Sequence, residues 1–153
     1  MRRAALFAVL LAAATGGISC NSDDEVTLFE ATLSPDNEVP PRASGASGVS
    51  RMTFDGTTVT FIVVVANLNN VTLSHIHSGA AGTNGPVRVD FYLGPVTSIT
   101  QGTLAQGSFT AADVRGIEFN ALIDELRAGN AYVNVHSQTY PAGEIRGQTR
   151  LLN

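Results

Sequence analysis

The stretch "VSRMTFDGTTVTFIVVVANL", residues 49–68, decides the fold class of this chain. Two runs rich in Val, Thr, Phe and Ile flank Asp55 and Gly56, and an Asp-Gly pair between such runs predicts a β-hairpin. The second run, residues 59–66, is apolar on both faces, which indicates a central strand buried on both sides. β-Branched and aromatic residues favour strands over helices. The stretch therefore predicts a β-sheet protein with this hairpin near its centre.

Further strands are predicted on both sides of the hairpin. Asn69 and Asn70 are predicted to turn the chain into a strand at "VTLSHIH". Other short strand-like runs are "EVTLFEATL", "VRVDFYL", "GTLAQGSF", "AYVNVHS" and "GEIRGQTRL". One helix is predicted in "IEFNALIDELRAGN", where apolar residues recur at helical spacing before a closing glycine. The sum is an all-β chain, a Greek-key β-sandwich of about eight strands with one short helix.

The composition limits the class of function. The chain has 153 residues, of which 44% are hydrophobic and 14% charged, so it can form one domain with a core and is not of disordered composition. Its net charge is -4. If the N-terminal segment that carries Arg2 and Arg3 is cleaved off, seven of the nine basic residues remain, against 13 acidic ones. Lysine is absent. Without a basic stripe to follow a phosphate backbone, nucleic-acid binding is not expected.

The N-terminus has the layout of an export signal. Residues 1–19 combine a basic start, an apolar stretch and small residues just before Cys20. The segment "GGISC" resembles a bacterial lipoprotein cleavage site, at which the cysteine becomes the lipid-bearing N-terminus. Residues 20–25 are polar and acidic and are predicted to tether a domain that spans residues 26–153. The sequence thus predicts an exported protein, anchored to a membrane through Cys20, in the periplasm or at the cell surface.

Two of the three histidines, His75 and His77, are separated by one residue. On a strand their imidazoles share a face, together with Val71 and Leu73. Together with His136 from a distant strand, they supply the three ligands of a candidate three-histidine site for zinc or copper. The alternative is a structural role, in which the imidazoles hydrogen-bond the loop "SGAAGTNGP" and hold it against the sheet. The sequence alone favours the structural role, because His-x-His is a weak motif.

Three polar residues near the C-terminus are candidates to support either role of the histidines. Glu144 is a candidate to orient a metal ligand. Arg146 shares the strand face of Glu144, and it is a candidate either to pair with that carboxylate or to make a fork to loop carbonyl oxygens. Asn134 is predicted to share a strand face with His136. The sequence contains no nucleophile elbow, and its sole cysteine lies at the end of the signal segment, so no catalytic triad is predicted.

Three blocks of the sequence resemble the CHRD domain, a family named after chordin and common in exported bacterial proteins. They are "LSPDNEVPP", "LSHIHSGAAGTNGPV" and "AGNAYVNVHSQTYPAGEIRGQ". The similarity extends from about residue 29 to residue 151. The first block departs from the commoner "LSGAQEVPP", because Pro35, Asp36 and Asn37 replace Gly-Ala-Gln. Because the segments "HIH", "YVNVHS" and "GEIRG" belong to one family pattern, we expect the strands that carry them to be neighbours.

The resemblance implies an exported β domain, immunoglobulin-like or Cu/Zn superoxide dismutase-like in architecture. In chordin the domain lies beside modules that bind growth factors. The signal segment, the acidic tether, the single domain and the lack of a catalytic constellation favour a non-enzymatic binding or structural module with an unidentified protein or envelope ligand. The "HIH" segment also resembles the "HVH" copper-ligand strand of Cu/Zn superoxide dismutase, although the remaining dismutase ligands and its cysteine pair are missing. The alternative function is therefore a metal-binding protein, which uses the three histidines and extends to redox chemistry of a dismutase type.

Overall fold

A computed structural model describes residues 26–152 and shows an all-β fold with one α-helix in that range. The predicted signal segment, Cys20 and the acidic tether lie outside the described residues. The strands are β1 (Thr27–Leu33), β2 (Ser47–Phe54), β3 (Val59–Ser78), β4 (Val87–Tyr92), β5 (Thr97–Phe109), β6 (Ala131–Ser137), β7 (Ile145–Gln148) and β8 (Arg150–Leu151). The helix α1 spans Phe119–Ala128. Within residues 26–152, no helix is long and apolar enough to cross a membrane.

The predicted hairpin joins β2 to β3. Its turn is built by Asp55, whose Oδ1 accepts hydrogen bonds from the backbone N–H groups of Thr57 at 2.9 Å and Thr58 at 2.8 Å. Gly56 supplies the positive φ of 100° that the turn needs. Pairing then runs without interruption from Phe54 opposite Val59 along the whole of β2. The prediction of a hairpin at this point is confirmed.

Strand β3 is longer than predicted, because the expected turn at Asn69 and Asn70 does not break it. Asn67 and Asn70 take left-handed φ angles of 55° and 52°, which asparagine tolerates better than most residues. The register of β3 shifts between Leu68 and Val71. A second shift, against β6 between Val71 and Leu73, turns Val71 into the hydrophobic core with Ile76, so the prediction that Val71 shares the face of the histidines is wrong.

Strand β3 also links the two halves of the sheet. Its first part pairs with β2 on one side and β5 on the other, and its last part pairs with β6 and β4. All pairings are antiparallel, and the sheet order is β7-β6-β3-β2-β1-β8. A bridge between Ser34 and Arg146 joins the end of β1 to β7 and almost closes the sheet. Gly147 permits this approach, because a Cβ there would lie 2.4 Å from the carbonyl oxygen of Thr32.

Helix α1 covers the sheet with the apolar face that the sequence predicted. Leu122, Ile123 and Leu126 are fully buried, and Gly129 ends the helix with a left-handed φ of 70°. The rest of the core comes from inward-facing residues of the strands, whose largest members include Phe29, Phe109, Leu33, Met52, Leu68, Ile76 and Ile145. The core therefore lies on one side of β3 and β6, and the opposite face of these strands carries the polar residues described next.

Candidate metal centre

The strands that carry "HIH", "YVNVHS" and "GEIRG" are neighbours, as expected. His75 lies opposite Asn134, which in turn lies opposite Arg146, so β3, β6 and β7 run side by side. Val133 and Val135 of β6 face the core, whereas Asn134 and the residues two positions before and after it lie on the other face. This polar face is nevertheless buried, because two loops, residues 34–44 and 79–86, cover it. The loops explain why so many polar side chains are withdrawn from solvent here.

The structure brings the three histidines together beneath these loops. One ring nitrogen from each of His75, His77 and His136 lies within 4.8 Å of the others. His75 Nδ1 and His136 Nε2 are 3.2 Å apart. The three residues are only 7%, 9% and 8% exposed. Two histidines from one strand and one from its antiparallel neighbour thus converge on a single point.

Two of the histidines hold a backbone carbonyl oxygen through their second ring nitrogen, and the third faces a carboxylate. Nδ1 of His77 is 2.9 Å from the carbonyl oxygen of Gly85, and Nδ1 of His136 is 2.9 Å from that of Pro141. A carbonyl oxygen can only accept, so both Nδ1 atoms carry the proton and both Nε2 atoms keep a lone pair. Nε2 of His75 faces Asp90 Oδ1 at 3.6 Å. The nitrogens left for a ligand are therefore His75 Nδ1, His77 Nε2 and His136 Nε2.

One inward nitrogen is left without a partner among residues 26–152, and the other two share at most one hydrogen bond. Nε2 of His77 is buried and has no hydrogen-bond partner within the described part of the chain. If His75 keeps its proton on Nε2, toward Asp90, then two lone pairs of His75 and His136 face each other at 3.2 Å. If the proton moves to Nδ1, a lone pair of His75 faces the carboxylate instead. A cation placed among the three nitrogens removes both conflicts.

The electrostatics of the site favour neutral imidazoles. The pKa of His75 is lowered to about 4, mainly by burial and also by the nearby rings of His136 and His77, against the opposing effect of Asp90. Burial also lowers the pKa of His77 and of His136, although the carbonyl oxygens that they contact act in the opposite direction. All three rings are therefore neutral near pH 7, which is the form that binds a metal ion.

A family comparison identifies the domain that carries this cluster. The CHRD domain pattern matches residues 29–149, which include every site residue described above. This chain belongs to the CHRD domain family. No curated protein matches the chain, and no solved structure matches it. The CHRD resemblance inferred from the three sequence blocks is thereby confirmed, and the match supports a module of the CHRD type.

Arg146 and Tyr132 fix the loop of the CHRD domain that covers His77. Arg146 is 1% exposed, and its Nη2 donates to the carbonyl oxygens of Ala80 at 3.3 Å and Thr83 at 2.6 Å, the fork predicted from the sequence. Its guanidinium lies 3.4 Å from the centre of the Tyr132 ring, which stacks on its other side against His77 at 4.8 Å. The loop, the arginine and the metal-ligand candidate thus form one packed unit.

The structure gives Glu144 and Asn134 roles around the covering loops. Glu144 accepts a hydrogen bond from Ser44 Oγ at 2.6 Å, which ties its carboxylate to the loop 34–44. Asn134 Nδ2 donates to Glu38 Oε1 at 2.5 Å, and Glu38 is only 4% exposed. Burial raises the pKa of this carboxyl group, against the influence of Arg146 and Asn134. The group that faces a histidine here is Asp90, whereas Glu144 was the residue chosen from the sequence.

Asp90 and Glu38 are the residues that sequence reasoning missed. Asp90 is the lone acidic residue of "VRVDFYL", on the face opposite the buried Val89 and Phe91, so alternation offered a signal. Arg115 pairs with its outer oxygen and holds the carboxylate in place. Glu38 lies in a proline-rich loop, and its contact with Asn134 spans 96 positions of the chain. No local pattern indicates that pairing.

Proposed function

We propose that this CHRD-family domain binds one zinc or copper ion through His75, His77 and His136. The observation that carries the proposal is the direction of the six ring nitrogens. Three of them point outward at a carboxylate and two backbone carbonyl oxygens, and three converge, of which Nε2 of His77 is buried without a partner in the described residues and the other two share at most one proton. Metal-binding histidines in proteins are oriented in this way by groups that accept their second N–H.

The spacing of the nitrogens supports the same proposal. Two nitrogens bound at about 2.0–2.1 Å to a tetrahedral ion lie about 3.3 Å from each other. The separation of His75 Nδ1 from His136 Nε2 is 3.2 Å, so this pair already has the spacing of two ligands. His77 completes the set within 4.8 Å and closes on the ion with a small movement of its ring. Binding therefore needs little rearrangement.

The donor set favours a borderline metal. Neutral imidazole nitrogens suit zinc and copper, whereas magnesium and calcium prefer oxygen ligands. The structural role predicted from the sequence is compatible with metal binding, since His77 contacts the covering loop through Nδ1 and offers Nε2 to the metal. One side chain serves both purposes. The two interpretations of the histidines therefore combine into one.

The test is metal binding to the full chain made without a histidine tag. Calorimetric titration with Zn²⁺ and with Cu²⁺, and elemental analysis after dialysis, are expected to give one ion per chain. His77→Gln is expected to abolish stoichiometric binding. Ser74→Ala is the matched control, because Ser74 lies on the same strand, is fully buried and has a hydroxyl group without a partner in the described residues. Equal binding by both variants would contradict the proposal.

We further propose that the domain works at the cell envelope, anchored through Cys20. This part of the proposal rests on the signal-like residues 1–19 and on the acidic residues that follow the cysteine. The lipid would hold the domain near a membrane surface while the tether separates the two. In such a position the domain would serve as a metal-binding module of the envelope rather than as a diffusing protein.

A further inference from the structure

We infer that the metal held by the three histidines keeps a fourth coordination position for water, and that a small anion can replace this water. The inference rests on the proposed function, because it concerns the same ion. It adds the chemical class of the exchangeable ligand: a donor of one to three heavy atoms, such as hydroxide, cyanide or azide. It also implies a chemically accessible metal rather than a purely structural one.

The number and type of protein ligands indicate that one coordination position of the metal is left open. Within residues 26–152, the cluster that can bind one ion consists of His75, His77 and His136. Structural zinc sites use four protein ligands, whereas zinc sites with three histidines hold water in the fourth position. The carboxylates nearest the cluster have other partners: Asp90 pairs with Arg115, and Glu38 accepts from Asn134. They are thus engaged elsewhere rather than free to complete the shell.

The placement of the three ligands indicates the side of the ion on which the open position lies. His75 and His77 come from one strand and His136 from its neighbour, so all three nitrogens approach the ion from the sheet side. Ligands that share one side leave the opposite side of a tetrahedral ion uncovered by side chains of the sheet. That side faces the loops that cover the polar face, including those that carry Gly85 and Pro141. A water molecule there has backbone groups of the loops, rather than a fourth imidazole, as its neighbours.

Burial of the site limits the size of an exogenous ligand that can reach the metal. The three histidines are 7–9% exposed, and Nε2 of His77 is inaccessible to solvent. A bulky ligand would have to displace the glycine-rich loop, which Arg146 and Tyr132 hold down. A linear anion of three atoms is the largest probe that we expect to enter without moving the loop. Binding to zinc lowers the pKa of such a water molecule to about 7.

The experiment is an azide titration of the full chain loaded with one equivalent of Co²⁺, which reports its coordination through its visible spectrum. We expect a saturable change with isosbestic points, in which one azide replaces one water. The metal-loaded protein without azide is expected to show one spectral titration between about pH 6 and 8, as metal-bound water loses its proton. Saturating azide is expected to suppress that titration. Co²⁺ with azide in buffer alone is the blank.

The outcomes separate this inference from the proposed function. One Co²⁺ per chain without any response to azide or pH would overturn the inference and leave metal binding intact. A sulfur-to-cobalt charge-transfer band that disappears in Cys20→Ser would show that Cys20 fills the fourth position, and would also overturn it. Failure to bind Co²⁺, Zn²⁺ or Cu²⁺ would overturn both proposals. Saturable azide binding in both the wild-type chain and Cys20→Ser would support the inference.

Discussion

Acidification of the metal-free protein is predicted to lower its stability through its buried histidines, of which His75 contributes a part that can be measured separately. The pKa of this residue is about 4 in the folded chain, against 6.5 for an ordinary histidine, chiefly because of its burial. As the pH falls below 6.5, the unfolded chain takes up a proton at His75 while the folded chain does not. The contribution of His75 to the free energy of unfolding therefore decreases with falling pH and levels off below about pH 4.

The size of the effect follows from the two pKa values. The difference between 6.5 and about 4 corresponds to about 3 kcal/mol, since one pH unit corresponds to about 1.36 kcal/mol. His75 is only 7% exposed, so screening by solvent reduces this value little. A loss of this size is a large part of the stability of a small domain, which is about 5–15 kcal/mol. The effect is therefore measurable by ordinary denaturation.

The assay compares urea unfolding of the metal-free wild type and His75→Gln at several pH values from 7 to 4. The carboxylates of Glu30 and Asp55, whose pKa values are lowered by hydrogen bonds, lose their own stabilising contribution as the pH falls further, but they are present in both proteins. The difference between the two curves isolates His75. We expect the wild type to lose about 3 kcal/mol more than the variant. Parallel curves for the two proteins would refute the reasoning, and Ser74→Ala is expected to follow the wild type.

Three further predictions concern other parts of the chain. Asp90→Asn is expected to weaken metal binding by about 10–100-fold, because Asp90 orients His75, and calorimetry that finds unchanged affinity would remove this role. Gly143→Ala is expected to destabilise the domain by more than about 1 kcal/mol, since its φ is positive. Its new Cβ would also lie 2.7 Å from Glu38 Oε1, and an unchanged urea midpoint would argue against this packing. If Cys20 carries the proposed lipid anchor, Cys20→Ser is expected to move the protein from the membrane to the soluble fraction, whereas unchanged partition would contradict the anchor.

Much of the fold was predictable because its signals are local. The hairpin at Asp55 and Gly56 depends on turn chemistry within four residues, and helix α1 depends on apolar spacing within ten residues. The neighbouring positions of β3, β6 and β7 were predicted from the family resemblance of the segments they carry rather than from hydrophobic periodicity. The continuous course of β3 through Asn69 and Asn70 was not predictable, because tertiary pairing on both sides of the strand overrides the local preference of asparagine for turns.

The candidate site was predictable only in part. Alternation placed His75 and His77 on one face, and that placement holds in the structure. The register of β3 against β6 decides whether His136 reaches them, and register depends on pairing across 61 positions of the chain. The outward contacts with Gly85, Pro141 and Asp90 are equally non-local. These contacts, and not the motif itself, are what distinguish a metal site from a set of buried histidines.

The most direct test of the central claim is X-ray absorption spectroscopy of the full chain loaded with one equivalent of Zn²⁺ or Cu²⁺. We expect three imidazole nitrogens at about 2.0–2.1 Å from the ion, together with one light atom from solvent. His136→Gln is expected to lose this signature, whereas Ser74→Ala keeps it. A first shell of oxygen or sulfur without imidazole scattering, or a spectrum that His136→Gln leaves unchanged, would contradict the claim that His75, His77 and His136 hold the metal.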